Sequence, residues 1–374
     1  MTGASQKALL YQADSGAIIW GFEVSADLAH WAAVVRAPGD SAGRFRVVSD
    51  SGAWGPYDFA CGLAWGALGL AFSAESLSRQ FVVYAVNRSP AYDYAGVPVF
   101  SPDGQELAYM AMTWSDSGRE WFIVQDGVDG GKRYDWAEPP VFYGDGHLAC
   151  LAGDAGSWFL LKDGEVASEP VRCWGASWLT FSHDGNRVAY VLYLEYRRYC
   201  VVLDGERGPE YERVSELTFS PDGKRFACVA EKAGRRCIVL DGKEGSWEDD
   251  LCCPTFSPDG RALACSVRKD SSWFMVYHEE RFGPYDWCGA PVISQDGKHI
   301  AFIVEEKGPD SHGYCPLDPD EPVQRNDRYC IAVDGEAGEW FEAVGAACFS
   351  TDGKKIFYPA VQAGELYLVE TGVH

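Results

Sequence analysis

The stretch Thr218-Phe219-Ser220-Pro221-Asp222-Gly223-Lys224-Arg225-Phe226-Ala227-Cys228 decides the fold. A short apolar run ends at Phe219, and a second begins at Phe226. Between them Asp222 is placed to accept local backbone hydrogen bonds, and Gly223 supplies the positive φ of a tight turn. This is a β-hairpin, and the chain repeats it. The same pattern stands at Phe100–Gly104, Phe142–Gly146, Phe181–Gly185, Phe256–Gly260, Ile293–Gly297 and Phe349–Gly353, with the aspartates 42, 39, 38, 37, 37 and 56 residues apart.

After each hairpin comes a short strand, with a small residue at its centre in all but the last copy. A β-branched and aromatic third strand follows and ends in a second turn signal, as in Cys200-Val201-Val202-Leu203-Asp204-Gly205. A fourth segment carries Gly-Pro-Tyr-Asp or a relative of it, as at 55–58 and 283–286. Four strands per repeat make a propeller blade. Two degenerate copies precede the regular ones, around Trp31-Ala32-Ala33 and Leu70-Ala71-Phe72.

The central position of the second strand is Ala32, Ala71, Ala108, Ala149, Ala189, Ala227, Ala264, Ala301 and Phe357, nine copies in all. The expected fold is all-β: a single β-propeller domain over 1–374, of nine four-stranded antiparallel blades with eight as the alternative. The last copy lacks a fourth strand, while Ala8–Tyr11 and Ala17–Trp20 are spare. One of these is expected to complete the last blade and remove an open edge.

Ser-Pro-Asp-Gly at 101–104, 220–223 and 257–260, each followed by Lys, Arg or Gln and an apolar strand, resembles the WD-like repeat of TolB-like propellers. The same repeat occurs in the propeller domains of prolyl-oligopeptidase-type peptidases. The resemblance implies a fold, and propellers host many unrelated activities.

Composition narrows the function. The 374 residues carry 32 Lys and Arg against 55 Asp and Glu, a formal charge of −23. Such a surface repels phosphate backbones and anionic lipid, so neither nucleic acid nor membrane is expected as a partner. No signal-peptide pattern or apolar run of spanning length is evident, and the expected location is cytoplasmic. The 13 cysteines are an odd count, and Cys150, Cys200, Cys228, Cys237, Cys265 and Cys330 fall in expected strands, which reads as core packing of free thiols. Cys252 and Cys253 are the one close pair, without a second pair at metal-ligand spacing.

Catalytic motifs are missing. Gly39-Asp40-Ser41-Ala42-Gly43 matches the nucleophile-elbow string but sits in a polar hairpin loop with no following helix, and no repeat-free segment could hold a hydrolase domain. The seven histidines show no ligand spacing, and no phosphate-binding loop occurs. Each repeated aspartate offers one carboxylate, against the six to eight oxygens that calcium takes. No cofactor is expected; no linear motif assigns an enzymatic activity, and the residues lean toward a non-enzymatic role without deciding it.

The repeat is broken most strongly at 305–327, an insertion with four prolines, His312 and Tyr314. Second-to-third-strand and fourth-to-first-strand connections share one face of a propeller. On that face the sequence collects Arg36, Arg44, Trp114, Arg119, Tyr196, Arg197, Arg268 and Lys269 beside the insertion. Arg, Trp and Tyr are the usual anchors of interfaces. The expected function is a scaffold binding a protein or peptide on this face; the alternative is a small-molecule or enzymatic site at the mouth of the central channel.

Overall fold

The computed structural model describes residues 5–15, 17–36, 43–85, 87–307 and 327–373, and in these every regular element is a β-strand. The chain is a nine-bladed β-propeller. It divides into two compact units, residues 14–210 and residues 1–13 with 211–374. The first unit holds blades 1 to 5, whose first strands begin at Ile18, Phe59, Tyr94, Trp136 and Gly175. Blades 6 to 9 make up the second unit, with first strands beginning at Arg213, Asp250, Trp287 and Ala343. Within a blade, consecutive strands pair antiparallel in chain order.

Small residues do what their spacing implied. Eight of the nine central positions are alanine, and Ala32, Ala71, Ala108, Ala189, Ala227, Ala264 and Ala301 are wholly buried, Ala149 nearly so. The aromatic of one fourth segment packs on the next blade: Tyr92 on Phe122 at 5.7 Å, Tyr285 on Phe302 at 5.7 Å and Phe341 on Tyr358 at 6.2 Å. Phe341 takes this place in blade 8, where it bridges Tyr329.

Blade 9 is completed by the N-terminal strand Gln6–Gln12, which pairs with Glu365–Gly372. The other spare segment becomes Ile18–Val24, the first strand of blade 1. The insertion is shorter than the sequence suggested. Glu305 and Glu306 belong to the strand Ile300–Glu306 and pair with Tyr329 and Arg328.

The recurring Ser-x-Asp, followed by Gly in six copies and by Leu28 in the first, is a closed hydrogen-bond unit. In all seven serine copies the hydroxyl meets the carboxylate two residues on at 2.5–2.7 Å. Each serine oxygen also accepts the amide five residues ahead, as from Arg225 to Ser220 at 2.9 Å. These bonds favour the ionised acid and hold Asp27, Asp103, Asp184, Asp259 and Asp352 below the ordinary aspartate value, and Asp222 and Asp296 to about 2.

A folded-state value below the unfolded one makes a contribution that is complete above the unfolded value, near 4, and is lost as pH falls through the folded one. Burial raises the carboxyls of Glu23, Glu138, Glu216 and Glu305, so their share runs the opposite way at higher pH and is level below the ordinary glutamate value. The urea midpoint is therefore expected to fall steeply between about pH 4 and about pH 2. An Asp222→Asn, Asp296→Asn variant should show a lower midpoint at pH 6 and a shallower acid limb; an unchanged limb would assign the acid sensitivity elsewhere.

Candidate interaction surface

The second-to-third-strand hairpin of a blade and the entry to its first strand lie at the same end. An acid just before the first strand ties the two together. Asp58, Asp93 and Asp135 accept the amides of Leu77, Trp114 and Ala155 at 2.8–2.9 Å, and in the other unit Asp249, Asp286 and Glu342 accept those of Asp270, Lys307 and Ala363 at 3.0–3.2 Å. The aspartate of the Tyr-Asp motif is thus a cap on the hairpin tip.

Blade 5 departs from this rule. Trp174 takes the acid's place: its amide donates to Tyr193 O at 2.7 Å, the bond that Asp58 makes with Glu75 O at 2.8 Å and Asp93 with Met112 O at 3.1 Å. The indole is 70% exposed, and at the adjoining tip Tyr196 is 76% exposed beside Arg197 at φ 53°. Blades 3 and 4 add exposed aromatics at the same end. Trp114 carries the Arg119 guanidinium 5.1 Å from its ring centre. Trp136 packs against Trp121 with the rings tilted and their centres 4.6 Å apart, and donates to Glu138 Oε1 at 2.8 Å.

The sequence-derived residues fall into separate places. Arg36 and Arg44 flank the tip of blade 1, with Arg36 packed 6.0 Å from the Phe45 ring centre. Trp114, Arg119, Tyr196 and Arg197 belong to blades 3 and 5 of the same unit. Arg268 and Lys269 are in blade 7 of the other unit, where Arg268 is engaged by Asp250 at 3.7 Å and lies over Trp273 at 6.0 Å. His312 and Tyr314 lie outside the described residues, as does the Gly39-to-Ala42 part of the elbow-like string. Trp136 and Trp174 were missed by sequence reasoning. The signal was present, since Trp174 occupies a position that is acidic in every other repeat that caps its tip.

Side chains that resemble catalytic groups are used by the scaffold. His299 Nδ1 meets Asp334 at 2.7 Å, which with Ser294 suggests a triad. The Ser294 hydroxyl, however, bonds Asp296 and the His299 amide, not the imidazole. His30 with Asp50 and His147 with Asp163 repeat the pairing at 2.7 and 2.9 Å, and Arg187 and Arg225 replace histidine at the same position in blades 5 and 6. An arginine that substitutes for histidine marks an ion pair, not a proton shuttle. Among the described residues no three His, Cys, Asp or Glu side chains converge as a metal-ligand set. A groove of about 330 Å³, lined by Ile123, Val128, Lys132, Leu161 and Glu165, lies at the opposite end of blades 3 and 4 and contains none of the sequence-derived residues.

Solved propellers are similar to this chain. TolB from Acinetobacter baumannii is 15% identical over 72% of this chain and 80% of its own length, with a TM-score of 0.32. A puromycin hydrolase, solved as its S511A mutant complexed with PGG, is 16% identical over 78% of this chain and 59% of its own, with a TM-score of 0.40. No family model matches the chain, and no curated protein does. At this identity the likeness concerns fold alone, and the site has to be argued from its own residues.

Proposed function

We propose that the protein is a non-enzymatic scaffold that binds a protein or peptide segment at the tip-bearing end of blades 3 to 5. The observation that carries this reading is Trp174, an exposed indole where six other blades place an acid that caps the tip. The exchange sets a large aromatic in place of an acid beside a tip that also displays Tyr196. Trp114 and Trp136 extend the apolar surface over two neighbouring blades. Large, rigid side chains that lose little entropy on contact are the usual anchors of a bound chain, and Arg119 held over Trp114 adds a positioned cation.

The test is to select binders from a displayed peptide library on the immobilised protein and measure them against variants. Trp174→Ala and Tyr196→Ala should each weaken selected peptides about 30-fold or more, as loss of an interface anchor does. The thermal midpoint should be nearly unmoved, since both side chains are exposed. Val166→Ala, at an exposed site on the opposite end of blade 4, should leave binding intact. Peptides indifferent to both aromatic substitutions would overturn the reading.

A further inference from the structure

Cys252 and Cys253 are adjacent on the first strand of blade 7, Asp250–Phe256. In a regular strand neighbouring side chains point to opposite faces. Here the register slips between Cys252 and Thr255, and Cys253 adopts φ 60°, so the strand bulges at the pair. The bulge brings both sulfurs together, 3.3 Å apart. The same bulge recurs in blades 6 and 8, where Ser215-Glu216 and Gly289-Ala290 occupy it. Only blade 7 fills it with two thiols.

The surroundings hold the pair in place. The Cys253 amide donates to the Glu216 carboxylate of blade 6, and the Ala290 amide of blade 8 donates to the Cys253 sulfur. Gly289 leaves room for that sulfur, since a Cβ there would stand 3.2 Å from it. Both thiols are part-exposed, whereas Cys150, Cys200, Cys228, Cys237, Cys288 and Cys330 are buried. Burial pushes Cys150, Cys228 and Cys288 up to about 12. The Cys253 thiol is held below its ordinary value, first by the hydrogen bond it shares with Cys252 and then by the Ala290 amide, against the opposing effect of burial. A lowered, reachable thiol next to a second one is the arrangement of a reactive pair.

We propose that Cys252 and Cys253 are a reversible redox site that closes to a vicinal disulfide on reaction with a low-molecular-weight disulfide. The Cys253 thiolate attacks one sulfur of the oxidant RSSR, forming a mixed disulfide and expelling RS⁻, which takes up the released proton. Cys252 then attacks the Cys253 sulfur and displaces the second RSH. Two protein thiols and one RSSR become one protein disulfide and two RSH. Neighbouring Cα atoms are only about 3.8 Å apart, shorter than the about 4.4 to 6.8 Å that disulfides span, so the closed form is strained and readily reduced. Such strain suits a site that must reopen.

The experiment incubates the native chain with excess glutathione disulfide, quenches in acid, alkylates with iodoacetamide and digests. The peptide holding the pair should be two hydrogens lighter and unalkylated, with both alkyl groups regained after dithiothreitol. It should react about tenfold faster than any buried cysteine in the chain. Cys252→Ser should trap glutathione on Cys253 as a mixed disulfide, and Cys228→Ser should change nothing. Recovery of the doubly alkylated peptide while other cysteines carry glutathione would overturn the proposal, as would an untrapped Cys253 in the Cys252→Ser chain.

Discussion

Removal of residues 1–12 is expected to lower the thermal midpoint on the order of 10 °C and to make the chain prone to associate. Six residues of Gln6–Gln12 pair with Glu365–Glu370, and Ala13 N adds a bond of 3.0 Å to Gly364 O. At about 1 kcal/mol net per backbone hydrogen bond, the ladder contributes roughly 5 kcal/mol. Lys7 adds side-chain contacts, standing 4.8 Å from the Phe341 ring centre and paired with Glu339. Its loss also exposes the strand Glu365–Gly372 as an open edge, a template for another chain. A synthetic peptide spanning residues 5–13, added to the truncated chain, should restore much of the midpoint. Equal midpoints for the full and truncated chains would show that the pairing contributes little.

The second large effect concerns a glycine. Gly104 closes the hairpin at φ +71°, and a Cβ there would stand 2.4 Å from the backbone nitrogen of Ala67 in blade 2. Backbone cannot swing aside as a side chain can. Gly104→Ala therefore adds overpacking of about 1 to 3 kcal/mol to a left-handed penalty of about 1 to 2. Gly164 has φ +78° with nothing within 4 Å, so Gly164→Ala meets the conformational penalty alone. Thermal unfolding should separate the two, with Gly104→Ala lower in midpoint by about 5 to 15 °C and Gly164→Ala by a few degrees. Equal losses would mean that the close approach between blades 2 and 3 relaxes freely.

Part of the repeat's chemistry was legible because it is local. Ser220, Asp222 and Gly223 satisfy each other and the amides of Lys224 and Arg225 within six residues, so their spacing alone announces the turn. Ala227 and its counterparts could be counted because a strand centre against a neighbouring blade admits only a small side chain. The candidate surface was partly legible. Trp114 and Tyr196 stand out at hairpin tips, but Trp174 is informative only once the acids at 58, 93 and 135 are known to be caps, and those bonds join residues about twenty apart.

The sequence by itself determined the strand order, the nine repeats and their hairpins, since turn geometry and alternating burial depend on near neighbours. Tertiary structure alone decided which N-terminal strand completes blade 9, because Ala8–Tyr11 and Ala17–Trp20 have equally suitable strand sequences and only pairing with residues some 360 positions away distinguishes them. It also decided that two adjacent cysteines face the same way. A bulge that turns Cys253 to φ 60° is set by the pairing of its strand with Leu263–Lys269, not by the residues Cys252 and Cys253 themselves.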